Sequence, residues 1–105
     1  MVRGDVHAIK LPRGRGHVQH GPRYAVIVQA DDLLALSTAV VCPTSGSTPP
    51  ATFHPEIAVD GRPTRVLCEM GGAVDTTRLG DHISHLSVEE LRSIDEALGL
   101  VLELR

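Results

Sequence analysis

Histidine pairs at spacings suited to chemistry occur at two places in this sequence. His17 and His20 are separated by two residues, as are His82 and His85, and this spacing is compatible with a shared metal ion. Such pairs on loops are more often solvated than metal-bound, so the pattern permits a metal site without requiring one. His17 and His20 also shortly precede Arg23, and imidazoles, which titrate near neutral pH, suit proton transfer beside a cation.

The two cysteines, Cys42 and Cys68, lie in apolar runs, and neither belongs to a Cys-x-x-Cys pair. Their thiols would be able to supplement a histidine site, but cysteines with this spacing are most often buried and reduced. We therefore expect both to be structural.

Positive charge is concentrated near the start of the chain. Residues 1 to 24 carry a net charge of +4, residues 81 to 105 carry −4, and the whole chain carries −3. Nine of the ten cations are arginine, whose planar fork suits phosphate better than the point charge of lysine. One face is therefore expected to attract phosphates. Gly14-Arg15-Gly16 does not extend to a Gly-x-Gly-x-x-Gly motif, which disfavours a nucleotide site.

The segments that must position these residues are mostly short, β-branched and apolar, which predicts strands. The main runs are Val6–Leu11, Tyr24–Gln29, Thr38–Cys42, Phe53–Val59 and Thr64–Glu69, with shorter ones at Ala73–Val74 and His82–Ile83. Five or six strands at this spacing indicate a small barrel. Between them we expect a long arginine-bearing loop ending near Arg23, a helical turn at Asp31–Leu34, a turn over Thr44–Pro50 and a hairpin at Asp60-Gly61.

The last segment has the pattern of a helix. Ser87 and Glu90 form a capping box, and Leu91, Ile94, Leu98, Val101 and Leu102 recur at helical spacing. Gly99 lies inside this pattern and marks a break or a close contact.

Length and composition limit the class of protein. The 105 residues suffice for one domain, which we place at 1–105, and 42% of them are hydrophobic and 22% charged. No apolar run approaches the roughly 18 residues of a membrane span, and Met1–Asp5 lacks the apolar segment of a signal peptide, so we expect a cytoplasmic protein. Tyr24 and Phe53 are the only aromatic residues, too few for a platform on which bases stack.

An ordered set of short motifs runs through nearly the whole chain. They are Arg3–Val6, Gly16-His17, Gly21–Arg23 before a strand ending Val28-Gln29, Pro43–Ser45 after the next strand, and the closing Leu86–Leu98 helix. As a set they resemble the MazF/PemK family of toxins. The resemblance implies a mainly β, α+β fold: an SH3-like small β-barrel of the MazF/CcdB/Kid type with a C-terminal helix.

The resemblance also implies a function. Members are toxins of type II toxin-antitoxin systems that arrest translation and growth as sequence-selective, metal-independent endoribonucleases. The 2′-hydroxyl of single-stranded RNA attacks the neighbouring phosphate and leaves a 2′,3′-cyclic phosphate and a 5′-hydroxyl. In the family, an arginine just before the second strand and a threonine or serine just after the third form the catalytic pair, and these positions carry Arg23 and Thr44.

Partners follow from the same resemblance. We expect a homodimer, a MazE-like cognate antitoxin, and neither a metal nor an organic cofactor. Contacts to RNA are assigned to six residues, Arg13, Arg15, His17, Gln19, His20 and Ser45.

Three positions depart from the family pattern. Val18 stands where many members have an acidic residue, Tyr24 where they have proline, and Met70-Gly71-Gly72 where they have Gln-x-Arg. The departures leave a second hypothesis open: a catalytically weak paralogue that acts by binding protein, either titrating antitoxins or holding a gyrase-type target. A peptide-binding SH3 adaptor is disfavoured because its aromatic groove residues are missing.

Overall fold

The computed structural model describes residues 1–9 and 23–104. These contain seven strands and one α-helix: β1 (Asp5–Ile9), β2 (Tyr24–Ile27), β3 (Thr38–Ser45), β4 (Glu56–Val59), β5 (Arg62–Val66), β6 (Gly72–Asp75), β7 (Leu79–His85) and α1 (Val88–Leu102). Three 3-10 turns lie at Asp31–Leu33, Cys68–Met70 and Thr76–Arg78. The predictions for residues 10–22, which cover the arginine-bearing loop, fall outside the described residues.

All strand pairs are antiparallel, and β3 is the hub of the sheet. The strand order is β4-β5-β3-β2-β1-β7, and β6 pairs with β3 beside this path. The first half of β3 pairs with β6 at residues 38–41, and its last two residues pair with β5. Because two strands share the same edge of β3, the sheet curls into a half-barrel. Together with α1, this confirms the predicted small SH3-like β-barrel with a C-terminal helix.

Apolar residues on both faces of the central strands hold the sheet together. Ala25, Val26 and Ile27 are all fully buried, as the continuous apolar run predicts. Val26 packs in a cluster that includes Ile94 of α1, whereas Ala25 and Ile27 belong to a second cluster on the other face of the sheet. The strand that leads away from Arg23 is therefore fixed from both sides.

The hairpin between β4 and β5 turns at the predicted dipeptide. Val59 is paired with Arg62, so Asp60 and Gly61 form a two-residue loop, and both have positive φ, 52° and 76°. Two successive positive φ angles are typical of the hairpin turn that matches strand twist, which is why Asp-Gly occurs here.

Helix α1 begins at the predicted capping box. The Ser87 hydroxyl accepts from the Glu90 N–H at 3.1 Å, and the Glu90 carboxylate accepts from the Ser87 N–H at 2.9 Å. The helix ends at Glu103, whose left-handed conformation lets the Leu104 N–H donate to the Gly99 carbonyl at 2.8 Å. Gly99 thus marks a close contact, because a Cβ there would lie 3.2 Å from the Leu104 carbonyl oxygen.

The apolar stripe of α1 is shorter than predicted. Ile94 and Ala97 are buried, while Leu91, Leu98 and Val101 pack partly against the sheet. Leu102 was expected in the stripe, but it is 58% exposed. It is rotated by about 80° from Ile94 around the helix axis, which places it at the margin of the packed face. No helix within 1–9 and 23–104 is long and apolar enough to cross a membrane.

The predicted number of strands and several predicted boundaries were wrong. The structure has seven strands where five or six were expected, because both short apolar runs form strands. β4 begins at Glu56, since Phe53 and His54 lie in a turn closed by a hydrogen bond between the His54 N–H and the Ala51 carbonyl. Thr44 and Ser45 were placed in a turn but end β3, because β5 supplies them with pairing partners.

Candidate active site

A cavity of about 560 Å³ opens at the end of β2 and β3 where Arg23 and Thr44 lie. Its lining residues are Arg23, Tyr24, Thr44, Ser45, Gly46, Ser47, Val59, Asp60, Arg62, Pro63 and Thr64. This volume is in the range of pockets that hold small ligands. The structure thus brings together the three described residues that the sequence nominates, Arg23, Thr44 and Ser45. Arg13, Arg15, His17, Gln19 and His20 lie outside the described residues.

The pairing of β2 with β3 explains why Arg23 and Thr44 lie together. Ala25 is paired with Pro43 in the antiparallel ladder. Arg23 precedes Ala25 by two residues and Thr44 follows Pro43, so both lie at the same end of the two strands. The 21-residue separation in sequence is therefore closed by backbone hydrogen bonds.

The guanidinium of Arg23 is partly buried and incompletely hydrogen-bonded, which is unusual for an arginine. The side chain is half-buried, and its Nε atom is buried without a hydrogen-bond partner in the described part of the chain. Burial also lowers the pKa of Arg23 from its ordinary value. Buried donors are rarely left unsatisfied, so this Nε sets Arg23 apart from an ordinary surface arginine, and the residue brings a positive charge to the cavity wall that would attract an anion.

The side chain of Thr44 is set firmly in the sheet. Thr44 is 3% exposed, and its register partner on β5 is Val66. The backbone just before it is held too, because the Leu67 N–H donates to the Pro43 carbonyl at 2.8 Å. Among residues 1–9 and 23–104, the Thr44 hydroxyl has no hydrogen-bond partner, which leaves it available to a ligand.

The start of the β3–β4 loop forms part of the cavity wall. The Ser47 N–H lies 3.4 Å from the Ser45 hydroxyl oxygen, which turns the chain directly after β3. Further along, His54 lies between the Pro49 carbonyl, 3.3 Å from its Nδ1, and the Glu69 carboxylate, 2.7 Å from its Nε2. This partly buried bridge holds the loop that follows Ser47.

The tip of the β4–β5 hairpin forms the opposite wall, which sequence reasoning missed. Asp60 and Arg62 both line the cavity, and neither has an ion-pair or hydrogen-bond partner in the described parts of the chain. The strand pattern predicted the hairpin but not the element over which its tip folds. The signal available in the sequence was the pair of opposite charges, Asp60 and Arg62, on either side of Gly61.

The second histidine pair lies around a carboxylate. His85 Nδ1 is 2.8 Å and His82 Nε2 is 3.2 Å from the Asp5 Oδ1 atom, and the Val2 N–H donates to Oδ2 at 2.8 Å. Burial alone would raise the pKa of Asp5, but these hydrogen bonds outweigh it and lower the pKa. No cluster of three or more His, Cys, Asp or Glu side chains suited to a metal occurs within 1–9 and 23–104.

The cysteines are buried, as expected. Cys42 and Cys68 are both free and buried. A hydrogen bond between the two thiols, together with burial, raises the pKa of Cys42, so its proton stays on sulfur.

Comparisons with known proteins agree along the whole chain. A family model described as "PemK-like, MazF-like toxin of type II toxin-antitoxin system" matches residues 2–102. A candidate toxin of Mycobacterium tuberculosis is 32% identical over 99% of this chain and 99% of its own. Endoribonuclease EndoA of Bacillus subtilis is 31% identical over 97% of this chain and 94% of its own.

The fold is shared with solved structures as well. An endoribonuclease from a mycobacterial species, solved in complex with its cognate antitoxin, superimposes with a TM-score of 0.84 at 16% identity. The match covers 100% of this chain and 97% of that one. At this identity the likeness establishes the fold.

Proposed function

The chain belongs to the PemK-like, MazF-like toxin family of type II toxin-antitoxin systems, and on this premise we propose that it is a metal-independent endoribonuclease that cuts single-stranded RNA. It acts as a toxin in the cytoplasm, where cleavage of mRNA stops translation and growth. The observation that carries this proposal is the cavity shared by Arg23, with its buried and unpartnered Nε, and the free hydroxyl of Thr44.

The chemistry is an intramolecular transfer of the phosphoryl group. The ribose 2′-oxygen forms a bond to phosphorus while the bond from phosphorus to the 5′-oxygen breaks, which leaves a 2′,3′-cyclic phosphate and a 5′-hydroxyl. Negative charge gathers on the non-bridging oxygens in the transition state. Arg23 and Thr44 donate to those oxygens, and donors fixed in place before the reaction stabilise the transition state more than the ground state.

Proton transfer divides between two roles. The leaving 5′-oxygen takes a proton, and we assign its delivery to Arg23, which lines the cavity. The 2′-hydroxyl must lose a proton, and the protonated guanidinium has only donors, so it cannot accept one. The base is therefore a group other than Arg23.

Binding of RNA extends beyond the reacting phosphate. Ser45 lines the cavity beside Thr44, and we assign further contacts to Arg13, Arg15, His17, Gln19 and His20 of the preceding loop. The protein acts as a homodimer and is restrained by a MazE-like antitoxin. Support for the antitoxin comes from the family and from the related mycobacterial endoribonuclease solved with its own antitoxin.

A direct test compares two matched oligonucleotides. The purified protein is expected to cut an RNA but to spare the same molecule carrying a single 2′-deoxynucleotide at the scissile position. Addition of EDTA is expected to leave the rate unchanged, and Arg23→Ala is expected to abolish it. Cleavage of the deoxy substrate would refute the mechanism, because it has no 2′-nucleophile.

One observation favours a second candidate function. Tyr24, which replaces the usual proline, lies in the wall of the cavity itself, directly after Arg23. A paralogue with weak catalysis would act by binding antitoxins or a gyrase-type target. Growth arrest on expression that persists in Arg23→Ala, with no RNA cleavage at any protein concentration, would support this candidate over the ribonuclease.

A further inference from the structure

The hairpin tip gives the cavity a second set of polar groups, distinct from Arg23 and Thr44. Val59 and Arg62 are paired across the Asp60-Gly61 turn, so the charged side chains of Asp60 and Arg62 are only two residues apart. Both line the cavity, and neither has an ion-pair or hydrogen-bond partner within 1–9 and 23–104. Two opposite charges left unpaired beside a pocket are available to recognise a ligand with donors and acceptors of its own.

The position of this tip is fixed by the fold. The turn has two positive φ angles, 52° at Asp60 and 76° at Gly61, and β5 is tied to β3 through the Thr44–Val66 pair. Val59 at the base of the hairpin is 2% exposed and belongs to the main core. The side chains of Asp60 and Arg62 are exposed, but the hairpin backbone that carries them is held in place by the core and by β3, which favours selection over adaptation.

The cavity has room for more than one phosphodiester. At about 560 Å³ it is within the range that holds a whole small ligand, and its wall includes the apolar side chains of Val59 and Pro63 as well as the charges. A nucleobase next to the scissile phosphate has the matching character, with an apolar face and a polar edge. Unpaired bases of single-stranded RNA expose both their Watson–Crick and Hoogsteen edges.

The hydrogen-bonding rules of the two side chains select among the four bases. A carboxylate only accepts, and a guanidinium only donates. Guanine alone has two adjacent donors, N1–H and N2–H, on one edge and two adjacent acceptors, O6 and N7, on another. Adenine, cytosine and uracil each place an acceptor next to the donor that a carboxylate would bind, so one carboxylate oxygen would face a lone pair.

We propose that Asp60 and Arg62 form a guanine-selecting subsite beside the scissile phosphate. Asp60 accepts from N1–H and N2–H, and Arg62 donates to O6 and N7, the commonest arginine–base contact. The inference rests on the proposed ribonuclease function and names the nucleotide that the same site prefers. It requires no base stacking on aromatic side chains, of which the chain has two.

Cleavage mapping tests the selection. A random-sequence RNA pool is digested and the new 5′-hydroxyl ends are sequenced for wild type, Asp60→Asn, Arg62→Gln and a control, Arg92→Gln, which removes an exposed charge from α1. Wild type and the control are expected to show guanine at one fixed position next to the cut. Both hairpin variants are expected to lose that preference.

Base analogues then separate the two contacts. Inosine lacks the N2 donor and is expected to lower kcat/KM of wild type roughly tenfold but to have little effect on Asp60→Asn. The analogue 7-deazaguanine lacks N7. It is expected to lower kcat/KM of wild type to a similar extent but to have little effect on Arg62→Gln. Equal penalties in wild type and variant, or cutting without a guanine preference, would overturn the subsite while leaving the ribonuclease intact.

A binding measurement keeps the inference separate from the function. Fluorescence anisotropy with 2′-O-methyl oligonucleotides, which cannot be cut, compares guanine with inosine at the selected position, or at each position in turn if no cleavage occurs. Tighter binding of guanine that depends on Asp60 would support the subsite even if no RNA were cut. Equal binding at every position would refute it.

Discussion

Thr44 is the register partner of Val66, and this pair joins the two walls of the cavity. The hydroxyl that we assign to catalysis lies on β3. Val66 ends β5, and the first residues of β5, Arg62 to Thr64, belong to the opposite wall. Because the Thr44 hydroxyl and the opposite wall belong to two strands paired in one antiparallel ladder, the backbone hydrogen bonds between β3 and β5 set the distance between them. The site is therefore expected to be present before RNA binds.

Replacement of Thr44 by valine removes the hydroxyl but keeps the shape of the side chain. We expect RNA cleavage to fall by about 10²-fold, the usual effect of losing one donor to a transition-state oxyanion. The free energy of unfolding is expected to change little, because the buried hydroxyl has no partner in the described part of the chain. Single-turnover cleavage and urea unfolding measure the two quantities.

The matched control is Thr38→Val, which makes the same chemical change at the exposed first residue of β3, outside the cavity. It is expected to leave cleavage unchanged. Full activity in Thr44→Val would remove Thr44 from the catalytic pair.

Substitution of Arg23 by lysine keeps the charge but removes the planar fork. Lysine has one ammonium point charge, and it cannot place two donors on a phosphoryl group as arginine does. We expect kcat to fall by roughly 10²-fold, with a smaller change in KM. The control Arg92→Lys alters an exposed residue of α1 and is expected to have no effect. A lysine variant with a normal kcat would show that charge alone suffices.

Sequence reasoning located the elements well because their signals are local. The capping box at Ser87 and Glu90, the Asp60-Gly61 turn and the apolar run of β2 each depend on neighbouring residues only. The end of β3 was misplaced because Thr44 and Ser45 have turn-forming side chains, and only their pairing with β5 makes them strand residues. That pairing is a non-local contact, which local propensity does not contain.

Only half of the candidate site could be predicted from the sequence, because the other half depends on non-local contacts. Arg23, Thr44 and Ser45 were nominated from motifs that flank two adjacent strands. Asp60 and Arg62 were missed, because a hairpin turn is sufficient reason for an Asp-Gly pair in the sequence. Nothing in the local sequence indicates that these two charged residues line a cavity. Only the curl of the sheet brings the hairpin over the end of β2 and β3.

The carboxylate of Asp5 makes stability depend on acid. Its pKa is lowered in the folded protein because its hydrogen bonds outweigh the cost of burial, so it stabilises the fold above its unfolded pKa. This contribution is lost as pH falls through the folded pKa, which lies below the ordinary pKa of aspartate. Asp5→Asn is expected to lower the free energy of unfolding at pH 7 by about 1–3 kcal/mol.

The difference between wild type and Asp5→Asn is expected to shrink as the pH is lowered from 5 towards 2, because protonation removes the advantage of the wild-type carboxylate. Denaturant unfolding across this pH range measures it. Asp81→Asn, an exposed change on β7, is the control and is expected to have little effect at pH 7. A constant difference across the range would contradict the role of the Asp5 charge.

The capping box of α1 also connects the helix to the hairpin that lines the cavity. One oxygen of Glu90 accepts from the Ser87 N–H, and the other accepts from the Ala58 N–H of β4 at 2.9 Å. Both hydrogen bonds contribute to lowering the pKa of Glu90, against the effect of burial. Glu90 therefore has two tasks, whereas the Ser87 hydroxyl has only the cap.

Removal of each side chain should separate these tasks. Ser87→Ala is expected to cost about 1 kcal/mol, or a fall in Tm of about 4–8 °C, through the lost cap. Glu90→Ala is expected to cost more, because the β4 N–H also loses its acceptor. Thermal unfolding of both variants and of Ser93→Ala, an exposed change within the same helix, measures the costs. If Glu90→Ala were no worse than Ser87→Ala, the bond to Ala58 would contribute nothing to stability, and the helix would not brace the hairpin.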